Sequence, residues 1–64
     1  MLEELQQLAD NGLVYIRISD YTVTVYLYSR GVFFEGKAER TDNLQADLEN
    51  AIHKCRLALI NEFA

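Results

Sequence analysis

Residues 13–39, LVYIRISDYTVTVYLYSRGVFFEGKAE, alternate apolar and polar side chains with a period of two. Such a period sends successive side chains to opposite faces of a strand. It predicts three strands. The first runs from Leu13 to Ser19, with Val14, Ile16 and Ile18 on one face. Ser19-Asp20 makes a tight turn. The second runs from Tyr21 to Tyr28, with Tyr21, Val23, Val25 and Leu27 inward. Ser29-Arg30-Gly31 is a three-residue hairpin loop, with Gly31 suited to a left-handed bulge position. The third runs from Val32 to about Glu39, with Val32, Phe34, Gly36 and Ala38 inward. The β-branched and aromatic content agrees.

Outward from this block the period changes to that of a helix. Leu2, Leu5, Leu8 and Ala9 fall on one side of a short helix over residues 2–10, and Glu3 and Glu4 suit its N-terminal dipole. Asn11-Gly12 ends it, with Gly12 in the left-handed cap conformation. From about Asp42 to Phe63 the pattern is again helical. Thr41 or Asp42 caps it. Leu44, Leu48, Ala51, Ile52, Cys55, Ala58, Leu59 and Phe63 form its apolar stripe. The expected fold is α+β, with a short N-terminal and a long C-terminal helix on one face of a three-stranded antiparallel meander (α-β-β-β-α). Both helices cover the same sheet face, because only one face of each strand is strongly apolar. Small Gly36 and Ala38 let the long helix approach the third strand. Phe34, Val25, Ile16 and Leu48 fill the middle.

Sixty-four residues give one domain, 1–64. Half of them are hydrophobic, so the chain is no disordered tail. One Cys excludes an internal disulfide, and no apolar run is long enough to span a membrane. The acidic start is not that of a signal peptide. The implied compartment is reducing and cytoplasmic.

The open sheet face carries Tyr15 and Arg17, Thr22, Thr24, Tyr26 and Tyr28, then Phe33, Glu35 and Lys37. Aromatic and Arg side chains of this kind are enriched in protein interfaces, although aromatic pairs also stabilise sheets on their own. Ala46, His53, Leu57 and Ile60 lie opposite the core stripe of the long helix. That helix outruns the strands, so Leu57, Ile60 and Phe63 overhang. Either the first helix packs there or a second copy does. The expected oligomer interface is His53, Leu57, Ile60 and Phe63 of a homodimer.

Catalytic chemistry is not expected. His53 and Cys55 point about 200° apart on a helix and cannot form a nucleophile and base pair. Cys55 lies on the apolar stripe as an inert thiol. The acids show no acid/base or metal spacing, and the glycines form no phosphate loop. No enzyme activity, metal or cofactor is therefore expected. A net charge of −4 argues against nucleic acid as partner. The open-face aromatics with Arg17 and Lys37 keep single-stranded nucleic acid as an alternative.

The element order resembles that of the double-stranded-RNA-binding domain, and residues 36–52 (GKAERTDNLQADLENAI) are similar to that fold's passage from last strand to second helix. The family grips phosphates with a basic cluster at the start of that helix. Here Asp42, Asn43, Gln45 and Asp47 take those places, so RNA binding is not carried over. Residues 21–59 also resemble HicB-type antitoxins, which act by binding a protein, although Ser29-Arg30-Gly31 replaces that family's Pro-containing loop. In size, charge and element order the chain is similar to phage-encoded inhibitors of host defence, including anti-CRISPR proteins. These resemblances imply a small inhibitor that binds a host protein, with an antitoxin as the alternative. It would act in the host cytoplasm if phage-encoded. The expected partner is a basic, nucleic-acid-binding protein met by Tyr15, Arg17, Tyr26, Tyr28, Phe33, Glu35, Glu39, Asp42 and Asp47, with acidic groups steering the encounter. Glu49 belongs to the same acidic face.

Overall fold

A helix over Leu2–Asn11 (α1) leads into strands Leu13–Ile18 (β1), Thr22–Ser29 (β2) and Val32–Glu39 (β3), and a helix over Leu44–Phe63 (α2) closes the chain. The computed structural model describes residues 2–63, with the side chain of Phe63 outside the description. The strands form an antiparallel sheet in the order β1-β2-β3. The architecture is thus α+β, α-β-β-β-α, as the periodicities predict.

The register runs in rows across the sheet. Val14, Leu27 and Phe34 form one inner row; Ile16, Val25 and Gly36 the next; Ile18, Val23 and Ala38 the third. Leu8 of α1, the inner side chains of β2 and β3, and Ala51, Ile52, Cys55 and Leu59 of α2 form one buried cluster. Both helices therefore share the inner face. Gly36 sits directly beneath α2. A Cβ there would land on the Ala51 carbonyl oxygen and the Cys55 backbone nitrogen, and 2.9 Å from the Cys55 Cβ.

That close approach has a cost elsewhere on the sheet. α2 lies over β3 and β2, and its backbone stays away from β1, whose near neighbours are α1 and β2. Ile16, expected to fill the middle of the core, is 43% exposed, and Ile18 is 49% exposed. Alternation shows which face of a strand is apolar, but not whether a helix reaches it.

Turn and cap details differ from expectation. β2 starts at Thr22, and Tyr21 stands in the turn, 82% exposed rather than inward. The Ser19 hydroxyl accepts the Tyr21 and Thr22 N–H groups at 3.3 and 3.1 Å, an ST-turn that holds the first hairpin. The second hairpin loop has two residues, since Ser29 pairs with Val32. Arg30 (φ 55°) and Gly31 (φ 79°) both take left-handed backbone, the type I′ signature whose twist matches the strands. Gly12 does not have positive φ. Its lack of a side chain serves proximity instead, because a Cβ would meet the Tyr28 carbonyl group. The Ser29 hydroxyl donates to the Asn11 carbonyl at 2.7 Å and pins the end of α1 to this hairpin.

Asn43, not Thr41 or Asp42, caps α2: its Oδ1 accepts the Ala46 N–H at 3.1 Å. Leu44 occupies the first helical turn at the edge of the sheet and is 41% exposed. Leu2 and Ala9 are likewise exposed, so α1 anchors through Leu8 with Leu5 beside it.

Candidate functional site

The outer sheet face is built in rows that alternate with the inner ones. Leu13, Tyr28 and Phe33 lie side by side across all three strands. The Tyr28 and Phe33 rings are 4.7 Å apart at 50°, a tilted aromatic pair. Tyr15, Tyr26 and Glu35 form the next row, and Arg17, Thr24 and Lys37 the third. Leu13, Tyr15 and Phe33 are exposed by 60%, 58% and 68%. Tyr26 is half-buried between its neighbours, and Thr24 is buried although it faces outward. Leu13 extends the aromatic patch by one side chain that sequence reasoning missed. Counting the strand's odd positions back to its first residue would have found it.

Glu35 and Glu39 are exposed on β3, and Asp42 is exposed in the loop before α2. Asp47 is not part of this surface, contrary to expectation: it is 4% exposed. One carboxylate oxygen accepts the Thr41 N–H at 2.8 Å, and the other accepts the Thr41 hydroxyl at 2.7 Å. Arg40 Nε lies 3.4 Å from the first, an ion-pair contact without hydrogen-bond alignment. The backbone and side-chain bonds from Thr41 hold the Asp47 carboxyl below the usual range, with burial opposing and Arg40 adding to the effect. Asp47 thereby ties the entry loop to α2. Glu49 is half-buried and accepts from the Gln45 amide at 3.3 Å.

The expected oligomer surface is divided. His53 Nδ1 lies 2.9 Å from Glu4 Oε2, and Arg56 donates to Gln7 at 2.6 Å and to Glu4 at 3.4 Å. The bond with His53 is the main cause holding Glu4 below the usual carboxylate range. Burial opposes it, and the charges of His53 and Arg56 support it. His53 thus faces α1. Leu57 and Ile60 are exposed. The expectation for Phe63 concerns a side chain outside the described residues.

Cys55 is a free, fully buried thiol whose pKa is raised by burial and then by Glu35. Among the described residues, no group of three or more His, Cys, Asp or Glu is placed to hold a metal ion. No helix among them is long and apolar enough to cross a membrane. An open groove of about 520 Å³ runs between β3 and the start of α2, past Lys37, Glu39, Asn50 and Lys54. Lys54 is engaged there, since its Nζ donates to the Lys37 carbonyl at 3.1 Å. Comparison with protein-family models, curated proteins and solved structures finds no match to this chain.

Proposed function

We propose that the chain is a small acidic protein-binding module that works by contact, not catalysis. The observation that carries this reading is the contiguous outer patch of Leu13, Tyr15, Tyr28 and Phe33, which no element covers. Exposed apolar patches rimmed by polar groups mark interaction sites. Glu35 borders this one, and Glu39 and Asp42 lie farther along the sheet beyond Lys37, in a chain of net charge −4. The fitting partner is a protein with an apolar recess bordered by Lys and Arg, which includes proteins that bind nucleic acid. Size, charge and element order further suggest an inhibitor of the phage-encoded kind, by analogy of architecture.

The test is affinity capture from host lysate at rising salt, with wild type, Tyr28→Ser/Phe33→Ser and Glu35→Lys/Glu39→Lys. Capture of basic proteins that both variants lose, and that salt weakens, supports the reading. An unchanged captured set with either variant removes the patch or its rim from the account. A second reading is favoured by the row Arg17, Thr24 and Lys37, which sets two cations beside the Tyr15 and Tyr26 rings. Such a face can stack single-stranded bases. Oligonucleotide binding at physiological salt that Tyr26→Ala abolishes would favour this reading over the first.

A further inference from the structure

The two edges of the sheet differ. On β3 the outward side chains Glu35, Lys37 and Glu39 are charged, and Lys54 occupies the Lys37 carbonyl. Charges and covering groups are how sheets protect an edge against further pairing. β1 is far less protected. Its sequence is LVYIRI, and Arg17 is its one charged residue.

The direction of the free backbone groups follows from two hydrogen bonds. Ser19 N–H donates to the Thr22 carbonyl at 2.9 Å, so Ser19 turns its backbone toward β2. Arg40 N–H donates to the Tyr21 carbonyl at 2.9 Å, so Tyr21 turns toward β3 and Thr22 toward β1. Backbone direction alternates along a strand. Leu13, Tyr15 and Arg17 therefore bond β2, and Val14, Ile16 and Ile18 aim both N–H and C=O into the open edge.

We propose that this edge is completed by a second copy of the chain, paired antiparallel β1 to β1 about a two-fold axis at Ile16. Only residues that face the edge can form hydrogen-bonded pairs. Placing Ile16 opposite Ile16 of the second copy puts Val14 opposite Ile18, and each pair exchanges both backbone bonds. The inner face then gains the row Val14, Ile16, Ile18 against Ile18, Ile16, Val14, covering Ile16 and Ile18, which the fold leaves about half exposed. On the outer face Tyr15 meets Arg17 of the second copy, an aromatic–cation pair made twice by symmetry. A shift of two residues sets Ile18 against Gly12, or Val14 against Asp20, and loses one apolar pair. Backbone, inner face and outer face thus select the same register. The product is one continuous sheet with the outer patches of both copies on the same side.

A standard interface takes about 800 Å² from each partner, about a fifth of the 4392 Å² this chain exposes. Pairing one six-residue strand falls in the weaker, smaller class. Association is therefore concentration-dependent. It goes beyond the partner-binding reading, and Tyr28→Ser/Phe33→Ser leaves it unchanged, so the two fail separately.

Sedimentation equilibrium from about 10 µM to about 1 mM tests it. Wild-type mass is expected to rise from 7.4 kDa toward twice that. Ile16→Lys, which sets like charges face to face on the axis, weakens association by about 10-fold or more, and Leu57→Asp leaves it intact. A wild-type mass fixed at 7.4 kDa across the range overturns the proposal. So does dissociation by Leu57→Asp with Ile16→Lys still dimeric. Amide exchange on the wild type decides the matter should Ile16→Lys fail to fold. The Val14, Ile16 and Ile18 amides are expected to slow with rising concentration, and exchange at unprotected-peptide rates in the dimer refutes the pairing.

Discussion

Replacing Gly36 by Ala tests how α2 is seated. The added methyl would meet the Ala51 carbonyl oxygen and the Cys55 backbone nitrogen, with the Cys55 Cβ at 2.9 Å. The first two atoms are helix backbone and cannot rotate aside. α2 must lift from the sheet, and contacts among Val25, Ala51, Ile52 and Cys55 loosen together. Overpacking costs about 1–3 kcal/mol, and a rigid helix backbone places this site at about 3. The Ala gains about 0.4–1 kcal/mol through a stiffer unfolded chain. Positive φ belongs to Arg30 and Gly31 and not to Gly36, so no backbone strain enters the sum. The net loss is about 2 kcal/mol. At about 0.05–0.15 kcal/mol per residue a domain of this length holds only about 3–10 kcal/mol. With a urea m value of about 1 kcal/mol/M, the midpoint followed by circular dichroism falls by about 2 M. A Gly36→Ala midpoint at or above wild type would refute the close seating of α2 on β3.

Gly31→Ala is the converse case, because φ is +79° and a Cβ there meets nothing. Left-handed strain alone is expected to cost about 1–2 kcal/mol, read by the same urea titration. Asp47 governs acid stability. Its folded pKa is depressed, so the unfolded chain binds the proton more readily; the contribution is present above about pH 4 and is lost as pH falls through the folded value. Asp47→Asn should lower stability at pH 7 and flatten the loss below pH 4 in thermal melts; an unchanged acid limb would contradict the role given to Thr41 and Asp47. Cys55 is expected to resist a thiol reagent at neutral pH in the native state, with modification tracking unfolding in urea. Rapid native labelling would mean that α2 does not hold it against the sheet.

Much of this fold is legible in the sequence because its elements have distinct periods. The alternation of residues 13–39 gives the strands, and Gly36 with Ala38 gives the docking track for α2. Local rules were less decisive where several residues could serve. Thr41, Asp42 and Asn43 all suit a cap, and what selects Asn43 is Asp47 reaching back to engage Thr41. Gly12 at a helix end suggests a need for backbone freedom, whereas the reason is its neighbour Tyr28. Asp47 carries a charge and reads as solvated, yet Thr41 and Arg40 satisfy it within the fold. The pair Glu4 and His53 spans 49 positions and leaves no mark on spacing. The aromatic rows of the outer face were visible from alternation. The exposed inner side chains of β1 were not, because they depend on where α2 lies across the sheet.

The proposed dimer requires β1 to be an open apolar edge that another copy completes. An isotope-filtered NOE experiment on a mixture of ¹³C-labelled and unlabelled chains at about 1 mM addresses it most directly. Tyr15 and Arg17 are non-hydrogen-bonded partners in the proposed register, with Cα atoms about 4.5 Å apart. A cross-peak between Tyr15 Hα and Arg17 Hα of different copies is the predicted result. Inter-copy peaks confined to Leu57 and Ile60, or none at that concentration, would contradict it.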